Sequence, residues 1–343
     1  MAAPNLLSPY KERHRELQAV LSRFSSLRGG KTRNVDIIWF PKPTAILTDM
    51  RNKLKVAYEQ QLAKQKQKDE EHFVENIVAE ELARRGAFTR PGADASALIE
   101  EYEEEPTPDK PHISSFRMTN RLFRFMGWTT RRVGYKNHYV VTDLGVQMTK
   151  FSGQFPGIIG NLSERDLVVR SLVNFGLFSV NDHPDQWDTR FKQRIVVNLL
   201  RVTAEYGYIC NNELVVTAFA LKDERDARQV KEMMQRLRRL REGKITMIQA
   251  FEEVGVDPQS SSSVNNAYDG PKVLLSLCRQ AGLLTKGSVE ATLFGDLRPL
   301  YSRMHHGISK IKEPRVVNII SDYGREILKE ELGRRLVWFD ELA

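Results

Sequence analysis

Cysteine is nearly absent from this sequence, and so are long apolar runs. Only Cys210 and Cys278 occur, and neither has a cysteine or histidine at the spacing of a zinc site, so we expect plain core or surface thiols. No apolar run is long enough to cross a bilayer, and charges near the N-terminus lie where a secretory signal would need its apolar stretch. We therefore expect a cytoplasmic protein with no membrane partner.

Catalytic motifs are lacking as well. There is no glycine-rich phosphate loop followed by lysine and a hydroxyl residue, and no acid followed by the acid-any-lysine triplet with which restriction-type nucleases hold a metal. His183 and the pair His305 and His306 lack partners at ligand spacing. We therefore expect no catalytic residue, no metal site and no cofactor, with Mg²⁺ needed only by a nuclease partner or an unrecognised active site.

Positive charge, by contrast, is abundant and unevenly distributed. The chain has 52 lysines and arginines against 44 acids, a net charge of +8. Between Ser115 and Ser152, seven cations face a single acid, Asp143, which leaves +6 in this short segment. A basic excess of this kind favours an anionic partner such as nucleic acid.

Glycines, prolines and polar runs divide the chain into five predicted segments. The expected fold class is mainly α with small β hairpins (α+β), in which tandem winged-helix and helix-turn-helix modules follow a helical N-terminal segment. The predicted segments are a helical spacer or docking segment at 1–86, an acidic proline-containing linker at 87–111, a first winged-helix module at 112–180, a helix-turn-helix-like module at 181–258 and a C-terminal winged-helix module at 264–343. The serine run at 260–263 predicts a flexible connector.

Two of these segments share one layout. In the first, SSFRMTNRLFRFMGW predicts a helix ending near Gly127, TTRRV and HYVVT predict a hairpin, and a new helix is expected near Asp143. In the last, a helix closed by Gly282 is followed by an irregular loop and then a strand that runs into a helix. The strand-to-helix junctions, VTDLG and ISDYG, both carry an early glycine.

The middle segment predicts three helices. The first ends at Gly207, Asn211 or Asn212 is expected to cap the second, and DERDARQVKEMMQRLRRLREG forms the third. A helix, a tight turn and a capped second helix are typical of a helix-turn-helix.

The first module contains the clearest candidates for DNA contact. Arg117, Arg121 and Arg124 are spaced by four and three residues, so a helix places them on one face. Arginine can donate two hydrogen bonds to guanine, and Asn120 or Gln147 could contact adenine in the same way. Arg131, Arg132 and Lys136 flank the expected wing hairpin, where phosphate contact or minor-groove insertion is their expected role.

A second basic cluster closes the middle segment. Its last turns contain Arg236, Arg238 and Arg239, which could bind phosphate. Acids are interleaved earlier in the same helix, so ordinary pairing on the helix surface is the alternative.

The order of these segments resembles the DNA-recognition region of type IIS restriction and nicking endonucleases of the AlwI kind. The similar stretches are SFRMTNRLFRFMGW, YVVTDLG, RDLVVRSLVNFGLFS with HPDQW, RIVVNLLRVTAEYGYICNNELVVTAFAL, and GPKVLLSLCRQAGLL to SDYGREIL. The resemblance implies a region that reads a short asymmetric DNA site, with specificity positions on the segment holding Arg117, Asn120, Arg121 and Arg124. The sequence after SDYGREIL does not continue into that family's nuclease domain, so we expect a separate nuclease subunit to cut.

Three functions follow from these patterns. The first is a sequence-specific recognition subunit of a restriction or phage-defence nuclease, with double-stranded DNA and a nuclease subunit as partners. The second is a winged-helix transcription regulator, which would dimerise on palindromic sites. The third is a complete endonuclease with an active site in the N-terminal segment, where Asp36 and Asp49 are candidate carboxylates.

Overall fold

A computed structural model describes residues 122, 123, 125–131, 139–151, 156–174, 192–288 and 316–334. The predicted N-terminal segment and acidic linker lie outside these residues. The chain divides into two compact units, one with the described residues up to Ser171 and one with those from Leu172 onward; we call them the hairpin unit and the helical unit. The described residues are mainly helical with small antiparallel hairpins, so the expected α+β class is confirmed at this level.

The hairpin unit begins with helical residues at 122, 123 and 125 and contains two small hairpins. Strands β1 (Thr129–Arg131) and β2 (Tyr139–Val141) are antiparallel, and helix α1 (Asp143–Met148) follows directly. Strands β3 (Ile158–Ile159) and β4 (Leu162–Ser163) form the second hairpin, which leads into helix α2 (Glu164–Val173). The predicted first hairpin and the helix after it are therefore confirmed.

Among its described residues, the helical unit contains the longer helices and one antiparallel pair of strands. Its elements are α3 (Ile195–Tyr206), α4 (Asn211–Val216), a 3₁₀ turn (Ala218–Ala220), α5 (Ala227–Arg241), α6 (Met247–Glu253), α7 (Ser261–Gln280), β5 (Leu284–Ser288), β6 (Val316–Ile320) and α8 (Asp322–Leu332). Gly207 ends α3 with a φ of 82°, as the sequence predicts. None of the described helices is both long enough and apolar enough to span a membrane.

Two expectations about this unit are wrong. The cap of α4 is Cys210, not Asn211 or Asn212, because Glu213 reaches back and accepts the Cys210 backbone N–H at 2.9 Å, which places both asparagines in the first turn. The serine run is not a connector, since α7 already begins at Ser261. Serine is favoured where a helix starts as well as in linkers, so its sequence signal is ambiguous.

Helix α3 lies at the centre of the helical unit. Most of its residues are buried, and it packs against β6 and α8. At its N-terminus the buried Arg194 donates to Glu224 at 2.8 Å and to Glu331 of α8 at 2.7 Å. After α3, Ile209 forms an antiparallel bridge with Asn318, so β6 lies between β5 and Ile209. Residues far apart in the sequence thus form one small sheet beside α3.

The helices that precede the strand pairs β1–β2 and β5–β6 end in the same way. Gly127 and Gly282 both have positive φ, at 71° and 78°. The next residue donates its backbone N–H five residues back: Trp128 to Phe123 at 2.8 Å, and Leu283 to Cys278 at 2.9 Å. This pattern is the Schellman helix end, in which glycine adopts the left-handed conformation without steric cost.

A hydroxyl residue follows the second strand of each pair and links it to the end of the preceding helix. The Thr142 hydroxyl donates to the Gly127 carbonyl at 2.6 Å and accepts from the Gly145 N–H at 3.1 Å. The Ser321 hydroxyl likewise donates to the Gly282 carbonyl at 2.6 Å and accepts from the Gly324 N–H at 2.9 Å. The strand registers correspond too, with Thr129 opposite Val141 in one and Leu284 opposite Ile320 in the other. The shared layout predicted from VTDLG and ISDYG is therefore confirmed.

The early glycine of α8 allows this close packing. A Cβ atom at Gly324 would lie 2.2 Å from the backbone carbonyl oxygen of Leu283, a distance that no side-chain adjustment can relieve. We therefore expect Gly324→Ala to lower the free energy of unfolding by about 2–3 kcal/mol, as overpacking does in a close-packed interior.

Urea denaturation checks this prediction, with Gly333→Ala at the end of the same helix as the control. A Cβ there would meet no atom closer than 3.4 Å, and the φ of −79° suits alanine. The control should be unchanged or up to about 1 kcal/mol more stable. Equal destabilisation by both substitutions would contradict the proposed close approach.

Candidate nucleic-acid interface

The predicted DNA contacts fall partly inside the described residues. Arg131 ends strand β1, and Arg236, Arg238 and Arg239 lie on helix α5. The other predicted contacts lie outside the described residues; they are Arg117, Asn120, Arg121, Arg124, Arg132 and Lys136. For Arg132 and Lys136, the described residues on either side of 132–138 form a frame that holds the two ends of this stretch.

Trp128 anchors that frame. Its indole ring is fully buried, lies 5.6 Å from the Phe123 ring, and donates from Nε1 to the Ser171 hydroxyl at 2.9 Å. The backbone of Trp128 also accepts the Thr142 N–H at 3.0 Å, which joins the two ends of the hairpin. Arg131 is paired with Tyr139 at the far end of this ladder, so the chain leaves the hairpin into the residues that contain Arg132 and Lys136.

Helix α5 separates its residues into a buried and an exposed face. Met233, Leu237 and Leu240 are buried. The exposed face carries Arg228, Lys231 and Arg238, whose spacing of three and seven residues places them in one stripe. Acidic side chains lie near this stripe: Arg228 donates to Glu232 at 3.0 Å across one helical turn, and both of these side chains are at least half exposed.

Two of the three predicted arginines on α5 bind the same acid. Arg236 and Arg239 both form ion pairs with Glu253 of α6, and Arg236 also donates to the Val216 carbonyl oxygen at 2.9 Å. Burial lowers the pKa of Arg236, and Glu253 offsets part of this effect. These contacts hold α5 against α6 and the end of α4. Arg238, beside the Tyr206 hydroxyl, is the member of the trio whose residue is exposed.

A further arginine of α5, which the sequence did not single out from its neighbours, has a structural role. Arg241 forms a two-pronged ion pair with the fully buried carboxylate of Glu213, at 2.8 and 2.9 Å. It also donates to the backbone carbonyls of Tyr206 and Tyr208, and its guanidinium lies 3.8 Å from the centre of the Tyr208 ring. These contacts hold the guanidinium of Arg241 within the fold.

The electrostatics of this pair follow from its burial. Burial alone would lower the pKa of Arg241, but the Glu213 carboxylate outweighs that effect and raises it above the value of a free guanidinium. Burial also raises the pKa of the Tyr208 hydroxyl, and the negative charge of Glu213 adds to this. The Arg241 guanidinium therefore stays protonated, and the Tyr208 hydroxyl stays neutral, over the physiological pH range.

The described residues contain no group of three or more histidine, cysteine, aspartate or glutamate side chains arranged to hold a metal ion. No protein-family model and no curated protein matches the sequence, and no solved structure matches the fold. The resemblance to AlwI-like endonucleases therefore remains a prediction. The function is therefore inferred from the charges and contacts of the chain itself.

Removing Arg241 should destabilise the helical unit strongly. In Arg241→Met the Glu213 carboxylate would remain buried without its cation, and breaking a buried ion pair in this way costs about 3–5 kcal/mol. Thermal and urea denaturation measure the effect. Arg238→Met, on the exposed face of the same helix, is the matched control and should stay within about 0.5 kcal/mol of the wild type. Equal losses of unfolding free energy in the two variants would show that the ion pair with Glu213 stabilises the fold no more than an exposed arginine does.

Proposed function

We propose that this chain binds double-stranded DNA sequence-specifically through winged-helix modules, with the segment from Ser114 to Lys150 as its base-reading element. The single observation that carries the proposal is the net charge of +6 between Ser115 and Ser152, on a segment whose described residues form a helix end, a closed hairpin and a following helix. A helix followed by a hairpin is the order in which a winged helix presents a recognition helix and its wing.

The topology of the helical unit supports a winged-helix fold there as well. The order along the chain includes helix α3, the bridge at Ile209, helix α4, helix α7 and the antiparallel strands β5 and β6, and β6 lies between Ile209 and β5. Helix α4 packs against α7, as the second and third helices of a three-helix DNA-binding domain do. On this interpretation α5 and α6 are an insertion between those two helices.

The proposed contact residues then have different roles. Arg117, Asn120, Arg121 and Arg124 would contact base edges from the major groove, because their spacing places them along one side of a helix. Arg131, Arg132 and Lys136 would contact phosphates from the hairpin, which positions the protein without reading sequence. Arg238 would add a phosphate contact from α5, whereas Arg236 and Arg239 contribute mainly by holding α5 against α6.

The family resemblance supports a more specific setting for this binding. We propose that the chain is the recognition subunit of a restriction or phage-defence nuclease, and that a separate subunit performs Mg²⁺-dependent cleavage. A recognition subunit of this kind finds an asymmetric site and binds it as a single copy. A transcription regulator would instead bind a palindrome as a symmetric dimer.

Selection from a random duplex library, followed by footprinting with and without Mg²⁺, tests the proposal. We expect one short asymmetric site, bound by one copy of the chain and left uncut in both conditions. Binding of two copies to a palindrome would favour the regulator. Cleavage that is lost on Asp36→Ala or Asp49→Ala would place an active site in the N-terminal segment, and failure to enrich any sequence would contradict sequence-specific binding.

Arg121 offers the sharpest test of base reading. If its guanidinium pairs with a guanine, Arg121→Ala should weaken binding to the selected site by about 1–3 kcal/mol and relax the preference at one base pair. Fluorescence anisotropy with the selected duplex and its single-base variants measures both effects. Equal weakening for all sequences would instead make Arg121 a phosphate contact.

Arg238 should behave as a phosphate contact. Arg238→Gln is expected to weaken binding about equally for all duplexes and to reduce the slope of log K against log salt by about 1. Arg236→Gln is the control, since its charge is paired with Glu253 and its side chain is only 17% exposed. The control should lower stability without changing the salt slope. The opposite pattern would reverse the roles assigned to the two arginines.

A further inference from the structure

The hairpin β3–β4 presents apolar side chains to solvent on both of its faces. Ile158 is 76% exposed and Ile159 is 47% exposed. Adjacent residues of a strand point to opposite faces, so the hairpin is a narrow finger with an isoleucine on each side. Leu332, in the helical unit, is the remaining exposed large hydrophobic residue among those described. Adjacent exposed isoleucines of this kind suggest a contact with another molecule.

The base of this finger is held firmly. Glu164 is 1% exposed, accepts the Gly157 N–H on its carboxylate at 2.9 Å, and donates its own N–H to the Gly157 carbonyl at 3.0 Å. A Cβ at Gly157 would lie 2.9 Å from the ring of Phe151, so the glycine allows the backbone to pass close to that buried ring. The two isoleucines therefore project from a fixed support.

The charges around the finger favour a nucleic acid as the occupant. Residues 151–163 contain no charged side chain. Exposed cations lie on both sides of them in the sequence, Lys150 before the finger and Arg165 after it, with one exposed acid, Asp166, nearby. The strongly basic segment proposed to read DNA ends where the finger begins. An uncharged apolar segment that is flanked in the sequence by exposed cations suits DNA, with its stacked bases and anionic backbone, better than it suits an apolar protein surface.

We propose that Ile158, the more exposed of the two isoleucines, is a wedge that inserts between two adjacent base pairs of bound DNA and kinks the duplex, while Ile159 on the opposite face of the hairpin packs against the wall of the groove. Apolar side chains such as isoleucine partly unstack a base step from the minor groove in this way. Lys150 and Arg165 would hold the phosphates that flank the opened step. The wedge rests on the proposed function, because it requires the chain to bind duplex DNA.

The test compares DNA bending by the full chain and its variants. A duplex selected by the wild-type chain, or a 30-base-pair mixed-sequence duplex if none is selected, carries a fluorophore at each end, and energy transfer reports the bend. The disrupting variant is Ile158→Ser with Ile159→Ser. Ile158→Leu with Ile159→Leu keeps the apolar volume, and Leu332→Ser removes an apolar residue that is similarly exposed, at 46%, from the helical unit. Thermal denaturation confirms that every variant is folded.

We expect the wild type, the leucine variant and Leu332→Ser to bend the duplex, by roughly 20–90° as apolar wedges do. The serine variant should lose the bend and bind about tenfold to a hundredfold more weakly, the loss expected when buried isoleucine surface is removed. Tight binding by the wild type without a bend, or an unchanged bend with the serine variant, would overturn the wedge and leave DNA binding intact.

The remaining outcomes separate the wedge from other occupants. If the wild type binds no duplex at all, the proposed function fails and the wedge fails with it. If the serine variant keeps the bend but converts a dimer into a monomer in light scattering, the finger contacts a second copy of the chain, and the wedge is overturned.

Discussion

One hydroxyl group at the base of the hairpin holds together three parts of the predicted DNA-reading module. Thr142 directly follows strand β2, caps helix α1 through the Gly145 N–H, and donates to the carbonyl of Gly127 where the preceding helix ends. The direction of the hairpin relative to both helices depends on these two hydrogen bonds. Ser321 makes the same pair of bonds in the helical unit. If Arg131, Arg132 and Lys136 contact DNA, the position of their segment depends on these two Thr142 hydrogen bonds.

The arginines of α5 show how burial assigns different roles to one residue type. Arg241 binds a fully buried carboxylate, and Arg236 is largely enclosed beside Glu253, so their charges act within the fold. Arg238 lies on the exposed face, where an ion pair would contribute little to stability because water and salt screen it. A cation of this kind remains available for a phosphate. The sequence RLRRLR therefore contains both structural arginines and a candidate contact.

Local patterns predicted the local structure well. Gly127, Gly207 and Gly282 marked helix ends, and VTDLG and ISDYG marked strands that run into capped helices, because these signals act within a few residues. The long-range partners could not be predicted. Glu213 and Arg241 are 28 residues apart, and Ile209 and Asn318 are 109 apart, so only the folded chain brings them together. The exposure of Ile158 and Ile159 could not be predicted either, because two adjacent isoleucines in a sequence are typical of a buried strand. The reading of bases by Arg117, Asn120, Arg121 and Arg124 stays a prediction.

Hydrogen–deuterium exchange of the full chain, with and without a duplex selected by it, tests the central claim most directly. DNA that contacts the module from Ser114 to Lys150 should slow exchange across that segment, while the amides of α3 and of the Arg241 and Glu213 cluster stay unchanged. Protection confined to other parts of the chain, with no change between 114 and 150, would contradict the assignment of this module as the base-reading element.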